Sequence, residues 1–464
     1  MATYFNKRKT IEAPEPPGAW PIIGHLLQLK SPQPYFRTLA AMADKHGSAL
    51  TIRFGVHRTL LISSWESAKE CFTTNDRALV GRPRSISSNH LSYDYALMAS
   101  APYGPYWRQV RQWVVHDLLS NRRFESLKHV QYAEIDNCVK DLYGLWVKNN
   151  QSQIKVEMNR LFRDLTLNIV LKIVMGKRYF NVVNVENEEE NQRIQSIMID
   201  FLKSLGVAVA SDVLPSFLSW IDWDGKQRAM KRIAMEMDML AKTWLQEHRQ
   251  KRLAGKADSD DQQDFIDIML SILEEDSQLY GHDHDSIVKA TALVLIFAAS
   301  EASALSLSWA LCLLLNHKKV LAKAVDELDL CVGKSMEDCN LSGFSVPKER
   351  RVLVNVWKIH RDPRVWSNPL EFQPERILTT HVDIDVRGKS FELIPFGSGR
   401  RSCPGISFAL QIMLMTLARL LHGFNLQTPS DQPVDMTEAT GITLSKKNSL
   451  EVHISPRLPS HLYE

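Results

Sequence analysis

Apolar residues recur at three- and four-residue intervals from about Tyr35 to Leu330, the period of helices that bury one face. Within that stretch, Ala290 to Leu315 is apolar nearly all round and carries one charge, Glu301, in 26 residues. Length alone fits a membrane span. A carboxylate at mid-span costs about 2.5–3.5 kcal/mol, however, and Ser300, Ser303, Ser306 and Ser308 dilute the apolar signal. The segment therefore predicts a buried helix, capped by Asp285 and leaving at Asn316-His317-Lys318-Lys319, about 46 Å long at about 1.5 Å per residue. A second apolar run predicts a helix after Cys403 with Pro404 in its first turn, and Arg351 to Val354 reads as a strand. The pattern as a whole gives a mainly α fold with a small β contribution.

The chain's 464 residues exceed the usual domain length, yet no Gly/Ser or Pro linker divides the middle and no repeat is evident. One helical body over residues 14–464 is expected, after a basic segment at residues 1–13. A net charge of +3, with no basic face interleaved with aromatics, argues against a nucleic-acid partner. Six cysteines (71, 138, 312, 331, 339 and 403) form no CxxC pair and no disulfide or zinc spacing, which suits a reducing compartment. Met1 to Thr10 holds no apolar core, so neither a signal peptide nor an N-terminal membrane helix is expected there. Lys7-Arg8-Lys9 followed by the stiff run from Pro14 to Pro21 is a basic tag and then a proline-rich connector.

The chemistry concentrates at Phe396-Gly397-Ser398-Gly399-Arg400-Arg401-Ser402-Cys403-Pro404-Gly405. Glycines at 397, 399 and 405 let the backbone approach a flat group closely, and the N-terminus of the following helix favours a thiolate's negative charge. A cysteine sulfur on haem iron must stay ionised and shielded. Phe-x-x-Gly-x-Arg-x-Cys-x-Gly resembles the cysteine loop of the cytochrome P450 family, a coincidence expected on the order of once in ten thousand chains of this length. Further likenesses lie in the family's order: Leu79-Val80-Gly81-Arg82-Pro83, Pro105-Tyr106-Trp107-Arg108-Gln109-Val110-Arg111, Asn355 to Pro363, and Phe372-Gln373-Pro374-Glu375-Arg376. They point most closely to plant oxygenases of specialised metabolism.

The resemblance implies a cytochrome P450 fold over residues 14–464. It implies haem b, iron protoporphyrin IX, bound through Cys403 as metal ligand, with Phe396, Arg401 and Gly405 around it and Trp107 and Arg111 on its propionates. Trp107 offers one N–H and Arg111 a fork of donors, spaced to share a helix face. Electrons would come from NADPH through a cytochrome reductase, with O2 as co-substrate, at the cytosolic face of the endoplasmic reticulum membrane. The substrate pocket would include Leu295, Ala298, Ala299, Ala302 and Ile442, small or apolar positions suited to a lipophilic metabolite.

Two departures qualify this. The family's central helix carries a kink followed by a Thr that takes part in proton delivery; here Ala298-Ala299-Ser300-Glu301-Ala302-Ser303 puts Ala302 at that position. Glu301 and Ser303 remain as proton-relay candidates, although Ser303 lies about 100° round the helix from Ala302, and a structural buried carboxylate is the competing reading of Glu301. The second departure lies between Leu330 and Arg351. Only twenty residues, Cys331 to Arg350, stand where the family places a Glu-x-x-Arg helix and sheet strands, and the junction Gly333 to Asp338 reads as a splice. Arg376 is then expected to lack its carboxylate partner, at a cost of about 3–5 kcal/mol if buried. Three activities compete on this evidence: a monooxygenase, a haem-thiolate isomerase or dehydratase that needs no O2 activation, and an impaired form that holds haem poorly.

Overall fold

The computed structural model describes residues 11–31, 33–180, 188–205, 210–215, 222, 225–255, 263–273, 279–317, 331–334, 339–429, 432–439 and 444–463. Among them, ten helices have eight residues or more: α1 Tyr35–His46, α2 Trp65–Phe72, α3 Pro105–Trp113, α4 Lys128–Lys148, α5 Met158–Met175, α6 Glu188–Leu205, α7 Lys226–Leu253, α8 Phe265–Ile272, α9 His284–Asn316 and α10 Ile406–Gly423. The strands are β1 Ala49–Phe54, β2 His57–Ile62, β3 Ile154–Glu157, β4 Cys331–Lys334, β5 Cys339–Leu341, β6 Phe344–Val346, β7 Arg351–Val354, β8 Phe424–Gln427 and β9 Glu451–Pro456. The mainly α expectation holds, as does the strand at Arg351 to Val354. The basic segment's Lys7, Arg8 and Lys9, the pocket candidate Ile442 and most of the junction lie outside the described residues.

The chain divides into two compact units. Unit one comprises Met1–Pro83, Ala210–Trp223 and Leu328–Cys403. Its sheet has the order β1-β2-β7-β4, with β1 antiparallel to β2, β2 parallel to β7 and β4 antiparallel to β7. Alternation of side chains across the pleat builds two cores. Leu50, Ile52, Leu61 and Leu353 face α1 through Leu39 and Ala43, while Leu60, Ile62, Val352 and Val354 face Ala68 and Cys71 of α2 together with Ile394. The second core brings the segment before the cysteine loop onto the sheet.

Unit two comprises Arg84–Val209, Asp224–Glu327 and Pro404–Glu464. α5 is buried on all sides from Leu165 to Leu171 and packs against α9, where Thr166 Oγ1 donates to Ser300 O at 3.1 Å. The small sheet β3-β9-β8 closes this unit near the C-terminus. α9 is capped by Asp283, whose carboxylate accepts the Ser286 N–H at 2.9 Å, and not by Asp285. Asp285 instead lies inside the first turn and pairs with Arg249 at 2.6 Å. The helix has 33 residues, about 50 Å at about 1.5 Å each. α9 and α10 are each long and apolar enough to cross a membrane by length and composition, and 67% of the α9 window is buried inside the protein, as expected of a core helix. α10 starts at Ile406 with Gly405 as N-cap, so Pro404 precedes the helix rather than forming its first turn.

Candidate active site

The residues singled out from sequence fall in both units and are described unit by unit. In unit one, Phe396, Arg401 and Cys403 lie on one tight loop. Cys403 N–H donates to Phe396 O at 2.9 Å, Gly397 N–H to Ile394 O at 3.0 Å and Ser402 N–H to Gly399 O at 3.1 Å. Gly397 and Gly399 both stand at φ 68°, the left-handed region that glycine enters without a Cβ penalty. At Gly399 a Cβ would also meet Asp76 Oδ1 at 2.4 Å.

Long-range anchors fix this loop. The Asp76 carboxylate accepts from Arg400 N at 3.1 Å and from its guanidinium at 2.9 Å, Arg401 Nε donates to Val80 O at 2.6 Å, and Ser398 Oγ donates to Gly388 O at 2.6 Å. His360 Nε2 accepts Ile394 N–H at 2.8 Å. A backbone N–H can only donate, so this imidazole nitrogen must be unprotonated. Burial, and then the charge of Arg361, lower the His360 pKa to about 3 and hold the ring in that form. Sequence reading missed Asp76, Val80, Ser398 and His360 as supports. The stretch holding His360 had drawn notice as a family likeness, but no local pattern assigns it a partner 34 residues on. Cys403 itself is half-buried and in no disulfide.

Arg376 was expected to be orphaned, and the structure corrects the consequence. Its guanidinium is only half-buried and donates to the carbonyls of Asn368 (3.3 Å), Glu371 (3.1 Å) and Gln373 (3.1 Å) and to Gln373 Oε1 (3.1 Å). Carbonyl dipoles and solvent satisfy it, so the penalty of a fully buried lone charge does not apply.

In unit two, α3 presents Trp107 and Arg111 on one face, with the guanidinium 5.3 Å from the indole centroid. The indole N–H donates to Met98 O at 3.1 Å, so its one donor serves the 92–101 turn in this structure. On α9, Ala298 and Ala302 are exposed and Ala299 half-exposed, while Leu295 is 9% exposed. These four positions stand at i, i+3, i+4 and i+7, so buried Leu295 shares a face with an open stripe of three small side chains, Ala298, Ala299 and Ala302, on a mostly buried helix. Ser303 is 2% exposed, and its hydroxyl has no partner among the described residues. α9 runs through this point without unwinding, which leaves Ser303 off the stripe. Glu301 is half-buried; burial raises its pKa, and the charge of Arg163 opposes that shift. Ser300 Oγ donates to Ile296 O at 2.6 Å, a back-bond of the kind that bends helices. Gly405 has no atom within 4 Å of where a Cβ would stand, which leaves its backbone open to a flat ligand.

A glycine-built loop around a half-buried cysteine that is in no disulfide fits a haem-thiolate class of protein, and the long core helix with its exposed small residues is compatible with it. The family model of cytochrome P450 matches residues 14–337 and 334–452, and the chain belongs to that family as a cytochrome P450 monooxygenase. The family binds haem through a cysteine thiolate and works with a redox partner, O2 and a lipophilic substrate. The chain is 45% identical to strychnine-10-hydroxylase of Strychnos nux-vomica, over 97% of this chain and 92% of the relative. It is 44% identical to demethylepipodophyllotoxin synthase of Sinopodophyllum hexandrum, over 98% of this chain and 93% of that one. Among solved structures, a zebra fish cytochrome P450 with abiraterone superposes with a TM-score of 0.71 at 21% identity, covering 92% of this chain and 100% of that one, a likeness of fold.

The family match breaks at residues 334–337, inside the stretch where the sequence reading placed a missing segment. Alignment with the strychnine hydroxylase runs over 488 positions but takes in 97% of 464 residues, about 450, so about 38 positions lack a counterpart here. A xanthotoxin 5-hydroxylase of Arabidopsis thaliana gives about 43, from 502 positions and 99% of the chain.

Proposed function

We propose that this protein hydroxylates a rigid, polycyclic plant metabolite of alkaloid or phenylpropanoid type, taking electrons from NADPH through a membrane-bound reductase at the cytosolic face of the endoplasmic reticulum. The carrying observation is the open stripe of Ala298, Ala299 and Ala302 on α9, with Leu295 on the same face, whose small apolar side chains leave room for a broad lipophilic skeleton. Relatives named strychnine-10-hydroxylase, vinorine hydroxylase and xanthotoxin 5-hydroxylase support this substrate class.

Cys403 would hold the haem iron through its thiolate, and the haem, when bound, would supply dioxygen activation. The chain's own contribution is to hold the thiol: the Phe396 carbonyl, the Asp76 clamp and His360 fix its loop before any cofactor enters. Arg401, Phe396 and Gly405 are proposed to line the cofactor, with Arg111 toward its carboxylates. Trp107 joins them only by exchanging its Met98 acceptor. Glu301 is the proposed proton carrier, because burial raises its pKa and so favours the protonated carboxyl that a donor needs. An isomerase or dehydratase role is not favoured, since the relatives named above carry hydroxylase names.

The test is the ferrous-CO difference spectrum of the wild type and Cys403→Ser, with NADPH-dependent turnover of candidate alkaloids and furanocoumarins. Thiolate ligation predicts a red-shifted band lost in the variant. Retention of that band by Cys403→Ser would remove Cys403 from its role.

A further inference from the structure

Among residues that take no part in the site described above, three buried side chains of unit two converge: His248 on α7, Asp264 at the N-cap of α8 and Asp267 in its first turn. One ligand atom from each lies within 4.8 Å of the others. His248 Nδ1 stands 2.7 Å from Trp244 O, and a carbonyl can only accept, so that nitrogen carries hydrogen and Nε2 faces Asp264 Oδ2 at 2.7 Å. A backbone acceptor on the far ring nitrogen is the arrangement that orients metal-binding histidines. Asp264 Oδ1 accepts Asp267 N–H at 3.0 Å, which fixes the first carboxylate. Asp267 is 4% exposed, and its Oδ2 has no hydrogen-bond partner among the described residues. A buried carboxylate oxygen without a donor is costly and calls for a cation.

The surroundings suit one. α5 ends here at Gly176, in the left-handed region at φ 70°, and its C-terminal carbonyls favour positive charge. A Cβ on Gly176 would stand 3.2 Å from Asp264 Oδ2, so a small residue there admits the carboxylate. A cavity of about 410 Å³ reaches His248 and Asp264 and leaves space for water ligands. Lys172, Lys177 and Lys251 also line it, with Lys177 paired to Glu247, so an ion would sit at the carboxylate end.

We propose that His248, Asp264 and Asp267 form a binding site for a divalent transition-metal ion of the Zn²⁺ or Mn²⁺ kind, distinct from the haem. One imidazole and two carboxylates match the donor preference of these ions and lack the oxygen cage that Ca²⁺ takes. A tetrahedral ion with bonds of about 2.0–2.2 Å holds its ligands about 3.3 Å apart, so His248 and Asp264 part slightly and Asp267 closes in as the ion displaces the proton between them.

The test uses the full chain, stripped with a chelator and titrated with ZnCl2, with MgCl2 as control. Stoichiometry and affinity are read by competition with a chromophoric chelator, and melting by circular dichroism, for the wild type, Asp267→Asn and His248→Gln. The wild type is expected to bind one equivalent, at least about tenfold more tightly than either variant. The melting order is expected to reverse: without metal, Asp267→Asn melts at or above the wild type because a buried unpaired carboxylate is gone, and with Zn²⁺ the wild type melts higher. A merely structural His–Asp pair predicts no reversal. Wild-type melting unmoved by Zn²⁺, or equal affinity in wild type and Asp267→Asn, overturns the site.

Discussion

Acidification should loosen the cysteine loop through a single imidazole. His360 Nε2 accepts Ile394 N–H at 2.8 Å, and Ile394 lies two residues before Phe396, whose carbonyl accepts Cys403 N–H at 2.9 Å. The His360 pKa is lowered to about 3 in the folded protein, against about 6.5 in an unfolded chain. A depressed histidine pKa means that the unfolded state takes up the proton first as pH falls. The stabilisation is therefore complete above pH 6.5 and lost below it, at about 1.4 kcal/mol per pH unit. From pH 6.5 to pH 5 the loss is about 2 kcal/mol, a sizeable part of a typical stability of about 5–15 kcal/mol. The perturbation is His360→Gln, whose amide oxygen still accepts from Ile394 but does not titrate. Urea unfolding at pH 7.0, 6.0 and 5.0 should show the wild type losing stability faster than the variant, with the difference growing by about 2 kcal/mol across the range. His57 and His90, also lowered by burial, titrate in both proteins and cancel in the comparison. Parallel pH dependences for the two proteins would refute the reasoning. His360→Ala should cost about 1–3 kcal/mol even at pH 7, since it strands the Ile394 N–H.

Gly399→Ala should destabilise the loop by about 1–3 kcal/mol and lower haem per chain by absorbance, since φ is 68° and the new methyl would meet Asp76 Oδ1 at 2.4 Å; unchanged haem content would count against the Asp76 clamp. Ala302→Thr adds a hydroxyl to the open stripe of α9 and should raise product formed per NADPH consumed, measured by paired product and NADPH assays; unchanged coupling would leave proton delivery to Glu301 alone. Insertion of a relative's segment of about forty residues between Lys334 and Ser335 should raise haem occupancy and melting temperature, read by pyridine haemochrome and calorimetry, and equal values would show that the short junction suffices.

Helical periodicity made α9 and α10 legible because each is apolar over many turns, yet the start of α9 was read two residues late. Asp283 and Asp285 are equally good capping residues by type, and only the extended backbone at Asp283 separates them. The pocket positions on α9 came from the family resemblance and not from periodicity; about 100° per residue explains only why they share a face and why Ser303 stands apart from them. The supports of the cysteine loop were not readable. Asp76 and Arg400 are 324 positions apart, and no local pattern links them. Trp107's acceptor was equally hidden: Met98 reaches it through a turn in which Tyr93, Asp94 and Tyr95 stand at φ 51°, 51° and 66°, conformations that side-chain propensity disfavours.

The anchors that remain in unit one bear on what the short junction costs. β7 keeps partners on both sides, with Leu60 opposite Val352 from β2 and Val332 opposite Leu353 from β4, so the sheet beneath the loop does not end on an open edge there. Ile394 packs on that sheet with Val352 and Val354, and Asp76, Val80 and His360 hold the loop's backbone. Arg376 has found carbonyls in its own turn. Beside the loop lies a cavity of about 60 Å³ lined by Val352, Val354, Gly397 and Arg401 among others. Packing lost beside a loop weakens its rigidity more than it alters secondary structure, so any cost of the short junction is expected in haem occupancy and not in helical content, and comparing the two quantities in the short and restored chains checks this.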